Sequence, residues 1–245
     1  MLSKFGHKIY RLNQFFENPK AFYLWLRHRI DPELYFTLVQ SQLLEKFNIN
    51  TVIDVGAYKG KFSTVIRNLK PNVSIYAFEP LEEPFKELQK VALSLGNIKA
   101  YNYALSDSKE YLPYFVNAAT YSSSFLKLKF SASKIFPKLK EEETIKIEVQ
   151  RLDDVIEGQS VEENILIKVD VQGFENKVLR GGTKTFRRAT VVIIETMFVD
   201  IYEDQSKFET IFELLKSMGF SYSGSFQDLR LNGLVIFEDS LFIRV

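Results

Sequence analysis

Along this chain the spacing of apolar residues changes period several times, and each change marks a new element. Thr51–Val55 is a short run of mostly β-branched residues, positions 56–60 open and close on glycine, and Phe62, Val65, Ile66 and Leu69 then recur three and four apart. That order predicts a strand, a tight loop and a helix. Pro71 and Asn72 stop the helix, and Ser74–Phe78 resumes a strand pattern. The same reading places further strands near 98–103, 165–170, 191–196, 220–226 and 240–245, with helices near 60–70, 81–94, 174–183 and 207–218. Strands separated by helices predict a mostly parallel sheet covered on both faces. Between the last two strands lies only a turn-rich stretch through Asp228, Asn232 and Gly233, so an antiparallel pair is expected at one edge.

Seven strands, six parallel and one antiparallel, make the methyltransferase variant of the Rossmann-like α/β plan. Two stretches stand apart from the alternation. Residues 1–48 read as a helical N-terminal extension: Leu2, Phe5, Ile9, Leu12 and Phe16 form an apolar stripe, Asn18-Pro19 interrupts it, residues 21–30 resume it, and Asp31-Pro32 opens a further helix. A stripe of that kind has to be buried, on the chain's own domain, on a second subunit in a homo-oligomer, or on an anionic membrane surface. Residues 49–245 form the main domain. Within it, 108–164 read as an insertion beside the carboxyl edge of the sheet, with strands at 111–116 and 144–149 around a polar, basic stretch.

Composition narrows the chemistry. With 32 basic and 31 acidic residues the net charge is +1, which creates no general field for nucleic acid, and none is expected as a partner. The absence of cysteine excludes disulfides, Cys-ligated zinc and thiol catalysis, and fits a reducing compartment. No apolar run approaches the roughly 20 residues of a membrane span. Lys4, Lys8 and Arg11 break the N-terminus in a way that a signal peptide does not, so a cytoplasmic location is expected. His7 and His28 are the only histidines and fall outside the sheet core, which leaves a carboxylate or a lysine as general base.

The most informative constellation pairs the loop Asp54-Val-Gly56-Ala-Tyr-Lys-Gly60 with Glu79, one strand-helix-strand unit later. Glycine lets the loop backbone approach a ligand, and a carboxylate at the end of the second strand can accept both hydroxyls of a ribose. Asp54 disfavours phosphate but suits the cationic amino-acid end of S-adenosylmethionine (SAM), so the pair reads as a SAM site. The spacing is neither a dinucleotide fingerprint nor a phosphate loop, since Phe62 follows Gly60-Lys61. Asp107, after the third strand, could accept the adenine amino group. Asp170 and Glu195 end two later strands, close enough if those strands are neighbours, spaced about 4.8 Å, to serve as proton acceptor, hydroxyl clamp or divalent cation site. A cation would need more oxygen ligands than the sequence names, and no metal site is assigned.

Several of these motifs recur together. Asp54-Val-Gly-Ala, Tyr76-Ala-Phe-Glu79-Pro80, Asn102-Tyr-Ala-Leu-Ser-Asp107, Arg151-Leu-Asp-Asp154 and Lys168-Val-Asp170-Val-Gln-Gly-Phe-Glu175 resemble, in order and spacing, the FkbM-type methyltransferases over roughly residues 50–225. The resemblance implies a class I SAM-dependent fold and O-methylation of hydroxyls on polyketides, sugars or glycoconjugates. It implies cofactor contacts from Asp54, Gly56, Gly60, Glu79, Pro80, Ser106 and Asp107, acceptor contacts from Ser122, Ser123 and Ser124, and catalytic work by Asp170, Glu175 or Glu195. Gln172 stands where the family usually has Glu, and Phe174 where it usually has Ala. Two other readings share some of these features: a nicotinamide-dependent oxidoreductase, and a SAM-binding subunit without catalysis.

Overall fold

The computed structural model of the chain describes residues 18–30, 32–136 and 139–245. Its centre is Thr51–Val55 (β1), buried along its whole length because helices cover both faces. β1 pairs in parallel with Ser74–Phe78 (β2) and with Ile165–Val169 (β7). Ile98–Tyr101 (β3) extends one side and Ala189–Met197 (β8) the other, both again parallel. Phe220–Leu231 (β9) and Leu234–Arg244 (β10) complete a seven-stranded sheet of order β3-β2-β1-β7-β8-β10-β9. β10 runs antiparallel to both its neighbours and lies between β8 and β9, so the antiparallel pair occupies one edge as expected.

That pair is longer than the turn-rich reading of its middle suggests. Asn232 and Gly233 both have positive φ, 52° and 85°, which is the two-residue turn that matches the twist of a hairpin. Pairing therefore begins at Leu231 and Leu234 and runs the full length. The polar stretch from Asp228 is exposed strand.

Each face of the sheet has its own helices. On one lie Pro19–His28 (α1), Pro32–Ser41 (α2), Leu43–Lys46 (α3), Lys61–Leu69 (α4) and Glu82–Leu95 (α5). Asn18, read above as an interruption, caps α1: its side chain accepts the Ala21 N–H at 3.1 Å, and Pro19 fills the first position. Leu24, Ile30, Leu38 and Leu44 share a core with Val65, Ile66 and Leu88, so helices α1 to α3 pack on the sheet domain of the same chain. The apolar stripe from Leu2 to Phe16, His7 and the Asp31 cap lie outside the described residues. The other face carries Glu175–Gly181 (α8), Thr183–Arg188 (α9) and Phe208–Ser217 (α10), whose Val178, Phe186 and Ile211 pack with Ile53, Ile167 and Val192. One helix was expected where α8 and α9 are two; the break falls at Gly182.

The insertion builds a second sheet. Ala104–Ser106 (β4), Glu110–Asn117 (β5) and Glu141–Arg151 (β6) pair in the order β4-β6-β5, which extends both expected strands and adds β4. Two short helices, Ala132–Ile135 (α6) and Leu152–Ile156 (α7), flank β6. The segment after β5 folds back over the carboxyl edge of the main sheet: Phe125 lies between Tyr114 and Phe174, at 4.7 and 4.8 Å between ring centres, and Ser124 Oγ donates to the Gln172 carbonyl at 2.7 Å.

Candidate active site

The carboxyl ends of β1, β2 and β7 meet at one point. Gly56 has φ +79°, and a Cβ there would sit 1.9 Å from the Asp170 carbonyl oxygen, so only glycine lets the two strand ends touch. The Gly56 and Ala57 N–H groups both donate to the Phe78 carbonyl, at 3.0 and 2.9 Å, which ties the loop to β2. Gly60, φ +73°, then starts α4. Asp54 is fully buried below the loop. Its Oδ2 accepts the Ser63 hydroxyl at 2.7 Å, while Oδ1 has no hydrogen-bond partner. Burial pushes this carboxyl above its ordinary range, against the pull of Lys168 and Ser63.

Glu79 is 5% exposed and held at both oxygens. Oε2 accepts the Tyr58 N–H at 2.9 Å and Oε1 the Leu81 N–H at 2.8 Å. Burial pushes it up to about 7, although both N–H groups favour the charged form. A carboxylate offers about four lone-pair sites, so two remain for a ligand. Gly56, Glu79 and Pro80 line a cavity of about 170 Å³, with Asp170 and Gln172 on one side and Tyr121 and Ser123 of the insertion on another.

Asp170 and Glu195 are brought together by Gln172. Its Nε2 donates to Asp170 Oδ1 at 2.9 Å and to Glu195 Oε2 at 2.7 Å. The Tyr202 hydroxyl reaches Gln172 Oε1 at 3.0 Å and the Ser122 carbonyl at 2.7 Å. Gln172 has φ 56° and Gly173 95°, a left-handed turn that swings the amide back over the strand ends. Asp170, just past the end of β7, accepts the Lys168 ammonium through Oδ2 at 2.9 Å. Burial alone would lower Lys168, but Asp170, Asp54 and Asp239 outweigh it and hold the lysine charged. Glu195, opposite Asp239 on β10, has burial and the nearby Asp170, Glu175 and Asp239 against its charge, and stays well above the carboxylate range.

Other sequence-selected residues serve the framework in this structure. Glu175 Oε1 accepts the Gly173 N–H at 2.9 Å, closing the loop after β7, and burial raises it to about 7. Ser106 and Asp107 are not on the cavity wall, although Ala104 and Leu105 of the same strand are. Asp107 pairs with Lys177 at 2.9 Å and accepts Ser106 Oγ; burial pushes it up, and these partners hold it below its ordinary range. Of the three serines only Ser123 lines the cavity, with its Oγ accepting the Asn117 N–H at 3.0 Å. Ser122 Oγ donates to the Ala119 carbonyl. Sequence reading missed Tyr58, Tyr114, Tyr121, Phe125 and Tyr202, which reach the site from the glycine loop, the insertion and the segment after β8. Nothing local in the sequence marks the last four, because their roles follow from how the insertion folds back.

Several known proteins resemble this chain. A 2-O-methyltransferase, NoeI, of Sinorhizobium fredii is 25% identical over 181 residues, covering 71% of this chain and 74% of its own. Methyltransferase sdnD of Sordaria araneosa is 28% identical over 192 residues, 69% and 73% of the two chains. Among solved structures, magnesium protoporphyrin IX methyltransferase (ChlM) from Synechocystis PCC 6803 with bound SAM aligns over 97% of this chain and 96% of that one, at 15% identity and a TM-score of 0.48. Residues 54–222, from the buried aspartate of β1 to the start of the terminal hairpin, match the family model described as "Methyltransferase FkbM domain". The span takes in the glycine loop, Glu79, the insertion and the Asp170–Gln172–Glu195 network alike, and the chain belongs to the FkbM methyltransferase family.

Proposed function

We propose that this chain transfers a methyl group from SAM to a hydroxyl of a sugar, a glycoconjugate or a related natural product. The observation that carries the reading is Glu79: a buried carboxylate fixed by two backbone N–H groups, with lone pairs left over, beside a glycine that no other residue could replace. These features suit SAM. Glu79 would take the ribose hydroxyls, the loop at Gly56 would admit the amino-acid end, and the unpartnered Asp54 Oδ1 would favour the adjacent positive charge.

When bound, SAM supplies a methyl group that is already electrophilic. The protein then has to hold an acceptor oxygen in line and accept one proton. Asp170 is the residue proposed to accept it, because Lys168 and Gln172 fix both of its oxygens beside the cavity. Glu195, whose carboxyl burial lifts well above its ordinary range, would orient the acceptor through Gln172. The relative named as a 2-O-methyltransferase supports oxygen as the accepting atom.

The test is transfer of label from methyl-labelled SAM to a panel of hydroxyl-bearing sugars and natural products. Label in a product that survives mild base, which cleaves methyl esters but not ethers, is the expected result. Transfer only to nitrogen or to carboxylates would contradict the oxygen assignment. No transfer to any acceptor, with SAM still bound, would favour a non-catalytic SAM-binding subunit.

A further inference from the structure

A second groove of about 790 Å³ opens beside the cavity just described, and the two share Tyr58 and Tyr121. Those rings meet edge-on at 6.5 Å, and the Tyr58 hydroxyl lies 2.9 Å from Thr120 Oγ1, so together they form the partition. The second groove is lined by Arg27 and Arg29 from the end of α1, Lys59 and Lys61 on either side of Gly60, and Lys90 of α5; among the described residues, the one acid on its wall is Glu87. In a chain whose net charge is +1, this is a strong local excess.

Glu87 is already paired with Lys90 at 2.6 Å. Arg27, Arg29, Lys59 and Lys61 have no carboxylate partner among the described residues. Arg29 is closed back by its left-handed backbone onto the Trp25 ring at 5.9 Å, and Lys59 lies over the Tyr58 ring at 5.2 Å. The residues outside those described carry Lys4, Lys8, Arg11 and Lys138 against Glu17 and Asp31, so their charges too sum to a cationic excess. Lys61 also stands at the first position of α4, where the helix dipole favours an anion. The volume is that of a small-molecule site.

The methyl donor does not explain these charges. SAM carries a sulfonium and an ammonium against one carboxylate, a net positive charge, and a wall of cations would repel it. We infer that this groove binds the phosphate or diphosphate of the hydroxyl acceptor, so that the substrate is a phosphorylated sugar or a nucleotide-activated one, its reacting hydroxyl reaching past Tyr58 and Tyr121 toward Asp170. Guanidinium and ammonium groups supplied by α1, the glycine loop and α5 suit a multiply charged oxyanion. The inference rests on the O-methyltransferase reading above.

Calorimetric titration at fixed ionic strength, with pyrophosphate, glucose 1-phosphate and glucose as separate probes, tests it. The wild-type chain should bind the two phosphates and not glucose, and Arg27→Gln with Lys61→Gln should weaken pyrophosphate binding by roughly tenfold or more. Arg27→Lys with Lys61→Arg should retain it. Tighter binding of pyrophosphate than of glucose 1-phosphate would assign the diphosphate class, and the reverse order the monophosphate class. Glucose binding as well as its phosphate, or pyrophosphate affinity unchanged in the charge-neutral variant, would overturn the inference. A parallel titration with S-adenosylhomocysteine separates the two claims: its affinity should be the same in all three proteins, and its failure to bind any of them would sink the cofactor reading while the phosphate arm still reads the groove.

Discussion

Glu79 and Asp170 face the same cavity but are held in different ways, and their substitutions should separate cofactor binding from turnover. Glu79 is fixed by backbone N–H groups from the glycine loop and from its own strand end. Asp170 is fixed by side chains, Lys168 and Gln172. Asp170→Asn removes the proton acceptor and turns an amide toward Lys168 or Gln172. Turnover should fall by about a hundredfold or more, while S-adenosylhomocysteine affinity changes by less than about twofold. An equal loss in both would move Asp170 into the cofactor's binding shell. Lys168 and Asp170 stand two residues apart in one sequence motif, but their pairing appears only in the structure. Gln172 was visible only as a departure from Glu. Its role as the bridge between two carboxylates depends on the left-handed backbone at that position, and a glutamate there would set a third carboxylate against Asp170 and Glu195.

Between elements, Gly181, the last residue of α8, makes a backbone approach as close as that of Gly56. A Cβ on Gly181 would meet the Ser106 carbonyl oxygen at 1.8 Å, so α8 is pressed directly against β4. Gly181→Ala should therefore push the helix off the inserted sheet and cost about 2–4 kcal/mol, read by urea unfolding. Unchanged stability would mean that the helix end can shift freely. A glycine pair at a helix end reads in sequence as an ordinary stop, and the reason for it lies in a strand over 70 residues earlier, which no local pattern reports. The terminal hairpin is the opposite case. Asn232-Gly233 is a strong local signal for a two-residue turn, and the residues before it are strand despite their polarity because that end of β9 is exposed. Here the information was present, and polarity outweighed it in the reading.

Over the whole molecule, carboxylates concentrate where the sheet strands end. Burial raises Glu79 and Glu175 to about 7 and Asp239 to about 6, against ordinary values of 4.5 and 3.8, and raises Glu195 as well. An acid whose folded value lies above its unfolded one binds more protons when folded. Its cost to stability is thus fully present above about pH 7 and is relieved as pH falls toward 4.5. Asp107, held down by Lys177, contributes in the other sense, and its support is lost only below its ordinary value of 3.8. The thermal midpoint of the ligand-free protein should rise as pH falls from 8 to about 5.5. A flat or falling midpoint would contradict the burial of these groups. The strands, the helices between them and the acidic glycine loop were legible because they rest on period and spacing within short windows. The folding of the insertion over the site, and the cationic groove between α1, the glycine loop and α5, were not, since each joins residues far apart in the chain.

The most direct test of a SAM site built on Glu79 is calorimetric titration with S-adenosylhomocysteine, with NADH as control, on the wild type and Glu79→Gln between pH 6 and 8. Glutamine keeps the shape but faces one backbone N–H with an amide and lacks the charge. The wild type should bind one equivalent and gain affinity as pH rises through about 7, the value to which burial lifts Glu79. The variant should bind about 2 kcal/mol more weakly and lose that pH dependence. Heat with NADH but none with S-adenosylhomocysteine, or a folded variant that binds as tightly as the wild type, would contradict the account.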